Sequence, residues 1–273
     1  NVTIDPRTPV LVGQAQVAQH EETIANARGP IELMEQAVSE AAVDAGIAKL
    51  GNASVIRVIR SLSTREQNPA RSIARALGIS ANRYVYTPHG GNLPQTLVNT
   101  SALEIQRGDA DLIILTGGEA TRSRRRARNA EQNLAWMSAS AQSEGDDAPE
   151  IDGEELVMNH EIELGLKIML PIEIYPMFET AIRFSKQRTI SEHQQEISEL
   201  WSRFSSVAKS NPHAWLRNEY SAEEIRTPSA SNRMIGFPYT KLMNSNNDVD
   251  MAAALIMCSA EKAQALGVPR DKW

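Results

Sequence analysis

The stretch RYVYTPHGGNLPQTLVNTSALEIQRGDADLIILTGGEA, Arg83 to Ala120, decides the fold. RYVYT is a short β-type run that stops at Pro88. Pro94 to Gly108 then places Leu97, Ser101 and Ile105 at helical spacing and closes on glycine. DLIILTGG is a near-continuous apolar run, the pattern of a parallel strand buried on both faces. Strand, helix and strand in this order predict a layered α/β sheet. The corner between the first two, YVYTPHGGNLPQ, aims backbone N–H groups at one point, as corners that hold a nucleophile or an anion do.

The same alternation extends toward the N-terminus. PVLVGQAQV (Pro9 to Val17) reads as a strand, and PIELMEQAVSEAAVDAG (Pro30 to Gly46) reads as a helix with proline at its start and glycine at its end. SVIRVIRSL is β-branched. NPARSIARALG is a helix with Asn68 as N-cap, Pro69 at its first position and Gly78 at its end. Toward the C-terminus the pattern breaks. From Thr121 to about Leu170 comes a basic run, RSRRRAR, and an acidic one, EGDDAPEIDGEE, with little that reads as strand. Two helical patterns follow, YPMFETAIRFSKQR and ISEHQQEISELWSRFSSVAKS, and the second is amphipathic through Ile197, Leu200, Trp201, Phe204 and Val207. DVDMAAALIMCSAEKAQALGVP returns to a buried strand and a short helix, which rejoin the first sheet.

With 273 residues, 41% hydrophobic and 23% charged, the chain can bury a sizeable core in one large or two smaller domains. A net charge of -6 gives no overall pull toward nucleic acid or an anionic membrane. No apolar stretch approaches the roughly 18 residues of a membrane span, and NVTIDPRTP lacks a signal-peptide layout, so the expected location is cytoplasmic. The sequons at Asn1, Asn52 and Asn99 read as chance. His20, His160 and His193 lack metal-ligand spacing, and GGEA after the fourth strand is not a dinucleotide fingerprint. The start on Asn rather than Met points to a partial chain.

Three runs carry a family resemblance: TPVLVGQAQV, GGNLPQTLVNTSALEIQRGDADLIILTGGEA and NPHAWLRNEYSAEEIRTPSASNRMIGFPYTKLMNSNNDVDMAAALIMCSAEKAQALGVP. They resemble the thiolase superfamily, specifically the branch of sterol-carrier-protein thiolases and acetyl-CoA acetyltransferases, and cover most of the chain in the expected order. The resemblance implies a five-layered αβαβα fold of two similar halves, with a mostly helical loop domain inserted in the first half to bind coenzyme A. This chain then supplies one thiolase-like layered αβα half with its insertion. Residues 1–120 form the first segment of the N-terminal domain, 121–247 the loop domain, and 248–273 the return and a connector. The second half lies outside this chain, as its continuation or as a separate C-terminal half. Also implied are acyl transfer or thiolytic cleavage in lipid metabolism, acyl-CoA as ligand without a metal, and a homodimer formed through the third-strand region. A docked accessory protein is a further partner of this kind.

Family members that transfer acyl groups use a cysteine at the start of the helix after the third strand, where the helix N-terminus stabilises a thiolate. Counting back from QRGDAD places that position at Gly91 or within one residue of it, and no cysteine is near. The family's catalytic His and second Cys belong to the other half. Cys258, the chain's single cysteine, sits in MAAALIMCSAEK and reads as a buried packing residue. The alternative to an enzyme is a non-catalytic coenzyme A or acyl-CoA binding subunit, or a scaffold.

The candidate residues each carry two readings. His89 is a hydrogen-bond donor or base for a thioester, or a turn histidine. Asn92 is an oxyanion donor or a helix cap. Gly90 and Gly91 permit close approach of a ligand at the corner. In the basic run, Arg124 and Arg125 meet coenzyme A phosphates, or the run is a solvated surface or a salt-bridged match to the acidic stretch from Glu144 to Glu155. Lys241 and Asn244, in FPYTKLMNSNN, stand by family position where the pantetheine arm is held. His213, Trp215 and Arg233 fix the loop domain or wall an acyl tunnel.

Overall fold

The computed structural model describes residues 4–138 and 147–273. In chain order the elements are β1 (Pro9–Ala18), α1 (Pro30–Asp44), β2 (Asn52–Val58), α2 (Pro69–Leu77), β3 (Ser80–Tyr86), α3 (Leu93–Arg107), β4 (Leu112–Ala120), α4 (Thr121–Asn129) and α5 (Ala135–Ser138). They continue with β5 (Glu150–Ile151), α6 (Glu161–Gly165), α7 (Pro171–Ser185), α8 (Ile190–Ser210), α9 (Ala222–Arg226), β6 (Met234–Gly236), β7 (Tyr239–Thr240), β8 (Asp250–Ser259) and α10 (Ala260–Ala265).

These elements fall into two compact units, Asn1–Glu155 with Asp248–Trp273, and Leu156–Asn247. The described residues 121–138 and 147–155, set apart in the sequence by their charge runs, lie in the first unit. There α4 follows directly on β4, and β5 pairs with β3.

The first unit is built on a six-stranded sheet in the order β1-β8-β4-β2-β3-β5. β2 runs parallel to β3 and β4, and β8 runs antiparallel to both β1 and β4. The alternation along β4 explains its unbroken apolar sequence. Leu112 and Ile114 point into one core with Leu33, Met34 and Val38 of α1 and Ile73 of α2. Ile113 and Leu115 point into a second core with Leu97 and Ile105 of α3. Burial on both faces removes the polar alternation that a half-exposed strand shows.

Helix ends follow the punctuation in the sequence. Asn68 caps α2 by accepting from the Arg71 N–H at 3.1 Å. Gly78 and Gly108 take left-handed conformations, φ 63° and 83°, just beyond α2 and α3. Cys258 is fully buried on β8, and burial pushes its thiol up to about 12.

In the second unit, Ile197 of α8, Ile225 of α9 and Met243 form a small core, with Trp201, Tyr220, Tyr239 and Leu242 packed on it. Capping boxes at Thr189–Glu192 and Ser221–Glu224 start α8 and α9. His193 is buried, with Nε2 2.6 Å from Glu179 Oε1, and the Tyr239 hydroxyl donates to the other Glu179 oxygen. Burial first, and then the Glu179 carboxylate, push the Tyr239 phenol well above its ordinary value. His160 serves as N-cap of α6, its Nδ1 accepting from the Ile162 N–H at 3.2 Å.

Candidate functional site

The carboxyl ends of β2, β3 and β4 lie side by side because these strands are parallel, and ligand sites of open α/β sheets form at such edges. Three loops meet there: Ile59 to Ser63 after β2, Thr87 to Asn92 after β3, and the end of β4 at Glu119.

Each loop is fixed by charged or hydroxyl side chains. The Arg60 N–H donates to Thr87 Oγ1 at 3.0 Å, and its guanidinium Nε donates to the Thr87 carbonyl at 3.0 Å. The same guanidinium lies over the Tyr86 ring, 4.6 Å from its centroid. Burial raises the Tyr86 phenol, whose oxygen accepts from the Ser61 N–H at 3.2 Å. Glu119 gathers the loop after β2. Its carboxylate accepts from the Leu62 N–H at 2.6 Å, the Ser63 N–H at 2.9 Å and the Ser61 hydroxyl at 3.1 Å, and also from the Ser63 hydroxyl.

The corner itself has an exposed His89. Its ring Nδ1 is 3.1 Å from Glu155 Oε1, and its backbone N–H donates to Glu155 Oε2 at 3.3 Å. The hydrogen bond from the His89 ring, and then that from its backbone, hold the Glu155 carboxyl below the usual carboxylate range. Asn92 stands at the N-cap position of α3, but its side chain makes no capping bond. Its Oδ1 folds over Gly90, where an added Cβ would come within 2.8 Å of it. The contact at Gly90 is thus with side chains, the Asn92 amide and the Leu93 tip, and not with backbone. Gly91 is different: a Cβ there would meet nothing within 4 Å. The position expected for a cysteine has room for a side chain and carries none.

Behind the corner, a buried charge network joins its two flanks. Arg57 of β2 is 0% exposed and donates to Ser101 Oγ at 2.8 Å and to Glu104 Oε1 at 2.6 Å, both on α3. Its Nε is 3.2 Å from Asp152 Oδ2. Arg83 of β3 continues the network, 3.3 Å from Glu104 and 2.6 Å from Glu150. The sequence signal for Arg57 was a charged residue inside a β-branched run, which needs a buried partner. Glu119 gave no comparable signal.

An apolar cleft of about 450 Å³ adjoins the corner. Pro94 and Leu97 of α3, Leu115 of β4, and Ala253 and Leu255 of β8 line it, with Arg60 in its wall.

The basic run is tied within the first unit, in part to the loop after β2. Arg124 donates to the Leu62 carbonyl at 2.6 Å, Arg125 pairs with Asp248, and Arg122 and Arg126 donate to the Glu21 carbonyl at 2.9 and 2.7 Å. The expected match between this run and the acidic stretch is not formed among the described residues. Glu150, Asp152 and Glu155 instead meet Arg83, Arg57 and His89, because β5 carries the acidic stretch along β3. Glu144 lies outside the described residues.

His89 and Gly90 to Asn92 therefore share one corner of the first unit, with Arg124 and Arg125 on α4 of the same unit. Lys241 and Asn244 belong to the second unit. Lys241 is exposed, and the Asn244 amide donates to the Thr240 carbonyl at 2.8 Å. His213 is exposed, its N–H donating to Asn211 Oδ1 at 3.0 Å, and Arg233 lies next to β6 with its Nη1 donating to the Met234 carbonyl at 3.5 Å. Among the described residues, no group of three or more His, Cys, Asp or Glu could hold a metal ion, and no helix is long and apolar enough to cross a membrane.

No family model and no curated protein matches the chain. Solved structures do. A monomeric SCP2-thiolase-like protein type 1 from Mycobacterium smegmatis is similar at TM-score 0.78 and 28% identity, over 99% of this chain and 50% of that one. An Ltp2–ChsH2(DUF35) aldolase is similar at TM-score 0.59 and 16% identity, over 95% of this chain and 57% of that one. Acetyl-CoA acetyltransferase from Syntrophomonas wolfei is similar at TM-score 0.55 and 19% identity, over 95% and 66%. The chain spans half to two thirds of the length of these relatives. Its mixed sheet, with helices on both faces and a mostly helical insertion between β4 and β8, has the SCP2-thiolase-like fold of the thiolase superfamily.

Proposed function

We propose that this chain handles acyl-CoA, holding the thioester at the Thr87–Asn92 corner without forming an acyl-enzyme on it. The observation that carries the reading is the corner. A parallel strand turns into a fifteen-residue helix, Gly90 permits close approach, and Gly91 leaves open space where the resemblance expects a nucleophilic cysteine. A helix N-terminus stabilises negative charge, so a thioester oxygen is the natural ligand atom there. His89 and Asn92 are the side chains at hand to donate to it. Lys241, Asn244, Arg124 and Arg125 are the candidates for the rest of the coenzyme, and 121–247 is the extent proposed for its binding.

The reaction class proposed for the complete protein is acyl transfer or thiolytic cleavage in lipid metabolism, in the cytoplasm. Fold alone does not fix the reaction, since relatives named as an acetyltransferase and as an aldolase share it. The apolar cleft beside α3 is proposed as a surface covered by a second similar half, continuous with this chain or separate. Dimerisation through β3 is proposed from the family resemblance and is checked by light scattering.

Calorimetric titration with acetyl-CoA, followed by intact-mass analysis, tests the reading. Binding without a covalent adduct is expected. An adduct on this chain would overturn the non-covalent reading, and the absence of both heat and a melting shift would remove the ligand and leave a structural scaffold.

A further inference from the structure

The acidic strap from Glu150 to Glu155 lies along the corner and touches it at two points. Gly153 takes φ +114°, and an added Cβ there would press on Pro88 at 3.2 Å, so the approach requires glycine. Two residues on, both Glu155 oxygens face His89, one at the ring Nδ1 and one at the backbone N–H. Nothing in the packing demands this carboxylate: its side chain is 65% exposed and that of His89 is 48% exposed. Upstream the strap is anchored by the β3–β5 pairing, by the Asp152 N–H donating to the Tyr86 carbonyl at 3.4 Å and by the Arg83 guanidinium donating to both Glu150 oxygens at 2.8 and 2.6 Å, so Gly153 to Glu155 is the part of the strap that moves.

We propose that this strap is an autoinhibitory contact: the Glu155 carboxylate occupies the His89 donors as an internal anion, and a thioester oxygen takes those donors only when the strap swings away. The inference rests on the corner being the acyl-binding site. Glu155 is the chemical mimic of the ligand it excludes, an oxygen acceptor held by one backbone N–H and one ring nitrogen. Because the contact is exposed, its release is easy, and ligand at moderate concentration displaces it. The strap thus lowers affinity without closing the site.

The test compares Glu155→Ala, Gly153→Ala and a neighbouring charge control, Glu154→Ala, in the full chain. The nitrogen chemical shifts of the His89 amide and ring report the contact, and acetyl-CoA titration reports its effect. Glu155→Ala and Gly153→Ala are expected to move the His89 signals and to tighten binding by about two- to fivefold, the scale of one exposed ion pair. Glu154→Ala is expected to change neither. Unchanged or weaker binding in Glu155→Ala, with His89 freed, overturns the autoinhibition while leaving the corner as the binding site. Equal tightening in Glu154→Ala overturns it in favour of a general charge effect. If His89 is freed but no variant and no wild-type protein binds acetyl-CoA, the corner reading fails and the proposal fails with it.

Discussion

Replacing Arg57 with methionine probes the network behind the corner most directly. The substitution keeps much of the apolar stem and removes the guanidinium. Ser101, Glu104 and Asp152 then lose a partner together, the first two at hydrogen bonds of 2.8 and 2.6 Å. Breaking a buried ion pair from one side costs roughly 3–5 kcal/mol, because the remaining charge stays buried and unpaired. Glu104 is 7% exposed and keeps Arg83 at 3.3 Å, which places the expected loss at the low end, about 3 kcal/mol. Since about 1.4 kcal/mol is a factor of ten, the α3 amides of Leu97, Ser101 and Ile105 should exchange on the order of a hundredfold faster where they open globally. Hydrogen exchange is the suitable assay, because a chain with two compact units need not unfold in one step. The double variant Arg57→Met with Glu104→Met should recover part of the loss, since the stranded charge is then gone. A change below about tenfold in Arg57→Met, or no recovery in the double variant, would refute the argument that this pair anchors α3.

Three further outcomes follow from the first unit. Cys258 is buried and its thiol raised to about 12, so a thiol reagent at pH near 8 should leave the native protein unlabelled and modify it fully in denaturant; fast native labelling would contradict its burial. Gly13 of β1 lies against α1, where a Cβ would fall 2.2 Å from the Ala41 carbonyl oxygen. Gly13→Ala should therefore destabilise β1 and α1 by about 1–3 kcal/mol, read as faster exchange of their amides. Glu150 is held below the ordinary carboxylate range by its hydrogen bond from Arg83, so its contribution is present above pH of about 4 and lost as pH falls through the lower folded value. The melting temperature of Glu150→Gln should fall below wild type near neutrality, by no more than about 1 kcal/mol equivalent for so exposed a pair, and the two should converge in acid.

Much of the first unit was legible because its signals are local. Pro30, Pro69 and Pro94 mark helix starts, Gly46, Gly78 and Gly108 mark ends, and Asn68 caps as its residue type predicts. The apolar run of β4 announced burial on both faces, whereas β8 is buried on both only from Ile256 to Ser259 and exposes Ala253 beside the apolar cleft. The site was less legible because its contacts span long separations: Arg57 meets Glu104 across 47 residues, and His89 meets Glu155 across 66. A charge run has no intrinsic direction in sequence, so the basic and acidic stretches looked complementary. Only the course of β5 beside β3 sends the acidic one to Arg83 and Arg57. Asn92 shows the limit of residue type, since it occupies a cap position and turns its side chain toward Gly90 instead.

The place of β8 in the sheet has a consequence for how the protein is made. β1 has no partner in the sheet except β8, yet Ala18 leaves the ribosome 232 residues before Asp250. At typical synthesis rates that is a wait of roughly ten to fifty seconds, during which the edges of β1 and β4 that β8 will join stay unpaired. The intervening helices of the second unit can form locally and early, since helical contacts are short-range. The sheet is completed last, by a strand that must find its slot between two segments already present. Folding of the nascent chain should then depend on chaperone cover for those open edges, and truncation before Asp250 should yield an aggregation-prone product.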